Sequence, residues 1–223
     1  MKNVCILDCG PSLSEVSEEF GFAPQWIMSM LKDTNCKFSW IRSYKGKRVK
    51  DNFPESVIIT GSPQSAYEEL DWMLELESYI RYAKKRKISI LGICFGHQLI
   101  AKALGGKVEL NSEGWELGSY PVNLTKAGIQ SPVFHQIPNP FIACESHKDV
   151  VAILPDSAVE LANNAKGNQA FQVGDRIFGV QFHPEFSTAV IKKYVEVRSG
   201  KGVPVDDPSV PFSKHSHLIL HNF

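Results

Sequence analysis

The stretch "ISILGICFGHQLIAKALGG", residues 88–106, joins an apolar run typical of a buried strand to a helical pattern, with a cysteine between two glycines at the junction. A chain that turns sharply from a strand into a helix exposes the side chain at the apex of the turn, and glycines let neighbouring backbone approach it closely. Cys94 stands at that apex, between Gly92 and Gly96. The pattern therefore predicts a nucleophile elbow, and it favours a reactive Cys94 over a buried thiol.

The segments around this elbow predict the fold class. Upstream, β-rich runs such as "NVCILDC" (3–9) and "SVIITG" (56–61) alternate with amphipathic helical stretches near 12–32 and 70–86. Such alternation is typical of a parallel sheet with helices on both faces. Beyond residue 106 the strand-like pieces become shorter, and a helical pattern returns only near 187–199. We therefore predict a three-layer α/β fold with a mostly parallel central sheet and a β-rich C-terminal elaboration of the same sheet.

The length of 223 residues favours one large domain, which we place at residues 1–200. The tail, residues 201–223, opens with a segment rich in Pro, Asp, Ser and Gly and closes with "HLILHNF" (217–223). This composition predicts an irregular arm that ends in a short helix.

Composition narrows the function classes. The chain has 24 Lys plus Arg and 24 Asp plus Glu, so nothing indicates a nucleic-acid partner. No apolar run reaches the roughly 20 residues of a membrane span, and the N-terminus resembles a strand without a signal-peptide pattern. The five cysteines are scattered, which predicts reduced thiols and no structural zinc. We therefore expect a cytoplasmic protein that binds neither nucleic acid nor membrane.

A cysteine nucleophile needs a base, and the base needs a group that orients it. The segment "RIFGVQFHPEFS", residues 176–187, supplies both, because His183 and Glu185 lie two residues apart on one side of an extended chain. Glu185 can then orient the His183 ring and stabilise its cationic form. The positive end of the helix after Cys94 favours a thiolate, and the free N–H of Phe95 can stabilise an oxyanion.

Two of these segments carry a resemblance to a known family. "GICFGHQLIAKALGG" (92–106) and "GVQFHPEF" (179–186) resemble the signature segments of the class I (triad) glutamine amidotransferases, most closely the GMP synthase glutaminase domain and its free-standing relatives. The likeness covers about residues 1–200. It implies a catalytic triad of Cys94, His183 and Glu185 that hydrolyses the side-chain amide of glutamine through a thioester, without a metal or organic cofactor.

The resemblance also implies further site residues. "VIITGSPQSAY" (57–67) is similar to the family's oxyanion strand, so the N–H of Gly61 would join that of Phe95 in the oxyanion hole. Ser62 departs from the family, which often has glycine there. "CESHKDVV" (144–151) is similar to the family's substrate-binding segment, which implies that Ser146 and His147 contact the substrate. Gln98 resembles the family glutamine that contacts the substrate, whereas His97 is interpreted as a helix-packing residue.

The identity of the substrate stays open at this stage. One interpretation is a glutaminase, free-standing or acting as a subunit that passes ammonia to a separate synthetase. A second is a hydrolase of γ-glutamyl peptides, because the bond cleaved is again a γ-glutamyl amide. A third is a catalytically idle binding or regulatory module, which an intact triad disfavours. We therefore expect glutamine or a small γ-glutamyl compound as the ligand. Trp115 is interpreted either as a rim aromatic over the site or as a residue packed on the sheet.

Overall fold

The structure, a computed structural model, describes residues 1–47, 54–205 and 215–223. Its strands are β1 (Lys2–Asp8), β2 (Cys36–Arg42), β3 (Ser56–Ile59), β4 (Ser89–Ile93), β5 (Lys107–Leu110), β6 (Glu116–Leu124), β7 (Phe141–His147), β8 (Asp149–Ile153), β9 (Ala158–Asn164), β10 (Gly167–Val173) and β11 (Ile177–Val180). Its α-helices are α1 (Ser14–Phe20), α2 (Ala23–Met30), α3 (Asp71–Lys85), α4 (Phe95–Ala103), α5 (Lys126–Gln130), α6 (Thr188–Gly200) and α7 (Leu218–Asn222).

The first helical stretch predicted near 12–32 is two helices, because the chain breaks at Gly21. This residue has a φ of 79°, in the left-handed region that favours glycine, and it ends α1. Phe22 then adopts an extended conformation, and Pro24 lies in the first turn of α2, where its missing N–H leaves no helical hydrogen bond unmade.

One mixed sheet organises the described residues. It has nine strands in the order β2-β1-β3-β4-β11-β10-β9-β6-β7. The five strands from β2 to β11 run parallel, and the pairs from β11 to β7 are antiparallel. The α/β fold class is confirmed, and the β-rich half does extend the same sheet. Within the described residues, β5 and β8 pair with each other outside this sheet.

The two faces of the parallel strands bury separate cores, which makes the three layers. Alternate residues point to opposite faces: Ile6 of β1 packs with one core, while Cys5 and Leu7 pack with the other. The first core includes Ile27 of α2 and Ile219 and Leu220 of α7. The second includes residues of α3 and α4: Met73, Leu76, Ile80, Ala83, Phe95, Leu99, Ile100, Ala101 and Ala103.

A third cluster joins α1, α2 and α6 beside the sheet, and it contains Trp26, Phe186 and Tyr194.

The predicted terminal helix corresponds to α7, and Asn222 at its end donates hydrogen bonds to the carbonyls of Val133 and His135. Most of the predicted irregular arm, residues 206–214, lies outside the described residues. In the ranges that are described, no helix has the length and apolar character needed to cross a bilayer.

Candidate active site

The site forms where three neighbouring parallel strands end. β3, β4 and β11 are adjacent in the sheet, and their carboxyl ends lead into Gly61, Cys94 and His183. Side chains that follow neighbouring parallel strands meet at one edge of a sheet. The N–H of Cys94 donates to the carbonyl of Val180 (2.9 Å), which ties the end of β4 to the end of β11. The sheet thus brings together residues that are more than a hundred positions apart.

Cys94 has the strained backbone of an elbow. Its φ is 52° and its ψ is −102°, although it is not a glycine. A Cβ on Gly92 would lie 2.4 Å from the carbonyl of Gly96, and a Cβ on Gly96 would lie 2.4 Å from the carbonyl oxygen of Ile59. Only hydrogen fits at either position, so the two glycines allow β4, α4 and β3 to approach closely enough to form the turn. Cys94 follows β4 and α4 begins at the next residue, as the sequence pattern predicts.

His183 is held by Glu185 and by an aromatic wall. Its Nδ1 lies 2.8 Å from Oε1 of Glu185, and both residues are buried. The imidazole stacks on Phe186 with 4.0 Å between ring centroids and 12° between planes. Phe186 in turn stacks on Tyr194 and meets Trp26 edge-on. These contacts fix the ring plane and leave Nε2 for the nucleophile.

The charges at the site favour a protonated His183. Burial lowers the pKa of this imidazole, but the charges of Glu185 and Cys94 and their hydrogen bonds raise it to about 10. A cationic imidazole donates from Nδ1 to Glu185 and from Nε2 toward Cys94. Cys94, His183 and Glu185 therefore have the arrangement of a nucleophile, an acid–base group and its orienting carboxylate.

The predicted oxyanion hole consists of the backbone amides of Gly61 and Phe95, and both residues line cavities that meet at Cys94. A Cβ built on Gly61 would lie 3.1 Å from Cε1 of His183 and 3.8 Å from Cβ of Cys94, so this backbone lies against both side chains. Phe95 is the first residue of α4. Neither amide donates a hydrogen bond to another residue within the described ranges. Both are thus free to donate to a tetrahedral oxygen.

The substrate-binding residues implied by the resemblance have different environments. Ser146 lines the site beside Cys94, and its buried hydroxyl has no partner among the described residues. Gln98 also lines the site, and its Nε2 donates to the Asp149 carbonyl and to Oε1 of Gln181, each at 3.0 Å. Its carboxamide oxygen remains for a ligand. The predicted packing role of His97 fits its position, since it is buried against Phe171 and burial lowers its pKa to about 3.

The imidazole of His147 is engaged by two buried carboxylates. Its Nε2 lies 2.9 Å from Oε2 of Glu116 and 3.2 Å from Oε2 of Glu145. Burial lowers the pKa of His147, but hydrogen bonds to these glutamates raise it well above its ordinary value. Burial, followed by the charge of Glu116, raises the pKa of Glu145 to about 7. The side chains of Glu116, Glu145 and His147 lie close enough to hold a metal ion. The distances from Nε2 to the two carboxylates are nevertheless those of direct ion pairs. His147 also lines the site together with Cys94 and Gln98, so its contact with the substrate stays a prediction.

Two cavities meet at Cys94. The first, named here the Gln98 cavity, has a volume of about 150 Å³ and includes Gln98, Phe95, Trp115 and Lys148 in its walls. The second, named the Trp26 cavity, has a volume of about 60 Å³ and includes Trp26, Leu13, Gly61, His183 and Phe186. Five residues line both cavities: Ser62, Pro63, Cys94, Ser146 and Arg198. Trp115 lies at the wall of the Gln98 cavity, which fits the interpretation as a rim aromatic.

Comparison with known proteins identifies the family. Residues 21–197, most of the chain, match the family described as glutamine amidotransferase class-I. The chain belongs to this family. A glutamine amidotransferase-like protein of Schizosaccharomyces pombe is 30% identical over 90% of this chain and 86% of its own length. Gamma-glutamyl peptidase 3 of Arabidopsis thaliana is 30% identical over 64% of this chain, and the aligned region spans 59% of that peptidase.

Two further proteins share part of the sequence or the fold with this chain. One subunit of the glutamine-hydrolysing GMP synthase of Methanococcus vannielii is 41% identical over 47% of this chain and 54% of its own length. A crystal structure of a glutamine amidotransferase from Thermotoga maritima superposes with a TM-score of 0.74 at 24% identity, covering 90% of this chain and 83% of that one. The latter likeness concerns the fold alone.

Sequence reasoning missed three charged residues of this amidotransferase-family site. Glu116 and Glu145 are buried in β6 and β7. The signal for Glu116 was a charged residue inside the apolar strand pattern "WELGSY" (115–120). Arg198 follows the buried Val190 and Tyr194 at intervals of four residues in α6, so it continues their helix face. A charge on an apolar helix face could have marked it.

Proposed function

We propose that this protein hydrolyses γ-glutamyl amide bonds, with glutamine as the simplest substrate, through a thioester on Cys94. One observation carries the proposal: an elbow cysteine shares a buried cluster with an imidazole that is held 2.8 Å from a carboxylate. Membership of the class I amidotransferase family supports it. An idle binding module would not need strained backbone at Cys94 or a paired, protonated His183.

In the first step the thiolate of Cys94 attacks the side-chain carbonyl carbon of glutamine. The N–H groups of Gly61 and Phe95 stabilise the negative oxygen that forms. The carbon–nitrogen bond then breaks, and the nitrogen takes a proton from His183 and leaves as ammonia. A γ-glutamyl thioester remains on Cys94.

In the second step water replaces the amine. His183, now neutral, takes a proton from this water as it attacks the thioester, and the oxyanion hole again stabilises the tetrahedral oxygen. The carbon–sulfur bond breaks, which returns the Cys94 thiolate and releases glutamate. Glu185 keeps the ring in place and stabilises its cation through both steps.

The Gln98 cavity fits the glutamyl part of such a substrate. Its volume of about 150 Å³ makes it the larger of the two cavities that meet at Cys94, and an enclosed cavity of that volume holds a ligand the size of benzene. The Gln98 carboxamide oxygen and the Ser146 hydroxyl offer polar contacts for the amino and carboxylate groups. Exposed Lys148 adds a positive charge at the same wall.

A γ-glutamyl peptide is a second candidate substrate. The Trp26 cavity continues beyond Cys94 on the side of His183. Ammonia is too small to need such a cavity, whereas the leaving group of a peptide could occupy it. The likeness to Arabidopsis proteins named gamma-glutamyl peptidases supports this candidate. The class of reaction is the same for both substrates, because both are γ-glutamyl amides.

The direct test incubates the purified protein with glutamine and with γ-glutamyl peptides, and measures ammonia and free amine. We expect turnover, and we expect a diazoketone analogue of glutamine to abolish it by alkylating the peptide that contains Cys94. Cys144 is the matched internal control, because it is buried and burial raises its pKa to about 12. Equal labelling of Cys144 or Cys36 would contradict the assignment of the nucleophile.

A further inference from the structure

Arg198 presents an unpaired positive charge to the catalytic centre. It lies in the last turn of α6 and lines both cavities together with Cys94. Its Nε is buried and donates no hydrogen bond to another described residue, and no carboxylate of the described residues forms an ion pair with it. A half-buried guanidinium without a counter-ion is strongly suited to bind an anion.

Aromatic rings hold this guanidinium in place before any ligand arrives. Its central carbon lies 4.6 Å from the centroid of Trp115 and 5.8 Å from that of Tyr194. Burial lowers the pKa of Arg198, while the charges of Tyr194 and Cys94 raise it, which agrees with a cation close to the nucleophile. The planar donor group is thus preorganised, so that little side-chain entropy is lost when it binds.

The position of His183 shows on which side of Cys94 the leaving group departs. The nitrogen that leaves must be within reach of the acid that protonates it. His183 lines the Trp26 cavity and does not line the Gln98 cavity. The rest of the leaving group therefore lies in the Trp26 cavity, whose walls include apolar Leu13, Trp26 and Phe186.

We propose that Arg198 binds the carboxylate of a small α-amino acid that leaves from Cys94, so that γ-glutamyl amino acids of the size of γ-glutamylglycine are the preferred substrates. This inference rests on the proposed hydrolysis of γ-glutamyl amides. The Trp26 cavity is the smaller of the two that meet at Cys94, about 60 Å³ against about 150 Å³, so a small amino acid fits there better than a large one.

The chemistry of the leaving group fits this placement. In an α-amino acid one carbon separates the nitrogen from the carboxylate. A carboxylate bound by Arg198 therefore keeps the scissile nitrogen close to both Cys94 and His183. When the carbon–nitrogen bond breaks, the nitrogen takes the proton of His183, and the free amino acid leaves before water hydrolyses the thioester. Glutamine lacks this carboxylate on its leaving side and gains nothing from the guanidinium there.

The test compares γ-glutamylglycine with γ-glutamylglycinamide, which differ only in the carboxylate of the leaving group. For the wild type we expect kcat/KM to be about tenfold or more higher for the free acid, as for a charge-assisted hydrogen bond. Arg198→Gln should reduce this ratio to less than about threefold. Arg198→Lys, which keeps the charge but loses the planar fork, should give an intermediate ratio. Lys148→Gln is the matched control, since it removes a cation from the Gln98 cavity and should leave the ratio unchanged.

Four outcomes would overturn the inference. A wild type that does not distinguish the acid from the amide would refute it without any variant. In Arg198→Gln, kcat/KM could instead fall equally for γ-glutamylglycine, γ-glutamylglycinamide and glutamine. This result would indicate that the guanidinium interacts with the glutamyl part of the substrate or with the thiolate. Turnover of glutamine without turnover of γ-glutamylglycine would refute the inference and leave the proposed function standing. Inactivity toward all three substrates would instead refute the proposed function, and the inference with it.

Discussion

At the scale of single residues, His183 and Glu185 have unequal roles although they are in contact. His183 both donates and accepts a proton, whereas Glu185 orients the ring and stabilises its charge through the 2.8 Å contact. We expect His183→Ala to lower kcat/KM by about 10³-fold or more, and Glu185→Gln by about 10- to 100-fold. The double variant should be no worse than His183→Ala, because the residues act as one unit. Steady-state kinetics with glutamine measures kcat/KM of the two single variants and the double variant, and circular dichroism confirms that each is folded.

The pH dependence of kcat/KM in Glu185→Gln distinguishes the loss of ring orientation from the loss of the Glu185 charge. The acid form of His183 is lost as the pH rises through its folded pKa, which Glu185 and Cys94 raise to about 10 against the effect of burial. Removal of the Glu185 charge lowers that pKa, so the alkaline limb of kcat/KM should move to lower pH in Glu185→Gln. An unmoved limb, or a loss as large as that of His183→Ala, would be inconsistent with these roles.

Single residues also show where the sequence is informative. Cys94, His183 and Glu185 could be predicted because each lies in a short local pattern with its own chemistry. The sequence marks Arg198 and Glu116 only as charges within apolar patterns. Their roles could not be predicted, because these arise from contacts with distant segments: Arg198 with Trp115, and Glu116 with His147. Such contacts depend on the packing of α6 and on the pairing of β6 with β7, neither of which has a local signature.

At the scale of elements, the start of α4 lies directly against the end of β3. A Cβ on Gly96 would come within 2.4 Å of the Ile59 carbonyl oxygen, which is backbone and cannot rotate away. Gly96→Ala must therefore separate the two elements, and β3 leads into Gly61 of the oxyanion hole. We expect the free energy of unfolding to fall by about 1–3 kcal/mol and kcat/KM to fall by about tenfold or more. Denaturant unfolding and glutamine turnover measure the two effects.

Gly200 is the matched control for that substitution. A Cβ there would meet no heavy atom within 4 Å, and its φ lies outside the left-handed region. Gly200→Ala should keep full activity and stabilise the protein by about 0.4–1 kcal/mol, because alanine reduces the entropy of the unfolded chain. If both substitutions had the same effect, close packing at the elbow would not be the reason that position 96 is glycine.

At the scale of the whole molecule, the sheet brings residues from separate sequence motifs together in one site. The order of the parallel strands follows from alternating strands and helices, and this part of the fold could be predicted. The pairing of β5 with β8 outside the main sheet could not, because four- and five-residue strands carry little information about their partners. The antiparallel half nevertheless contributes Ser146 at the end of β7, so the complete site needs both halves of the sheet.

Whether the chain works alone depends on the loop that follows β3. Neither Gly61 nor Ser62 has a φ in the left-handed region. The Ser62 hydroxyl accepts a hydrogen bond from the Gln64 N–H at 3.2 Å, and Ser65 Oγ donates to Asp149 at 2.6 Å. The bond from Ser65 ties the loop to β8. A side chain at position 62 narrows the backbone conformations available to that residue.

We therefore expect this loop to keep the Gly61 N–H directed into the site without a partner protein, and the purified chain to release ammonia or amine by itself. Ser62→Gly should lower this isolated turnover by about two- to fivefold, since the added backbone freedom is worth about 0.4–1 kcal/mol. Ser62→Ala is the control, because it loses the hydroxyl but keeps the Cβ, and it should stay within about twofold of the wild type. A wild-type chain that is inert toward every γ-glutamyl substrate until a second protein from the source cell is added would instead indicate that the chain works within a larger enzyme, whose oxyanion hole is completed by docking.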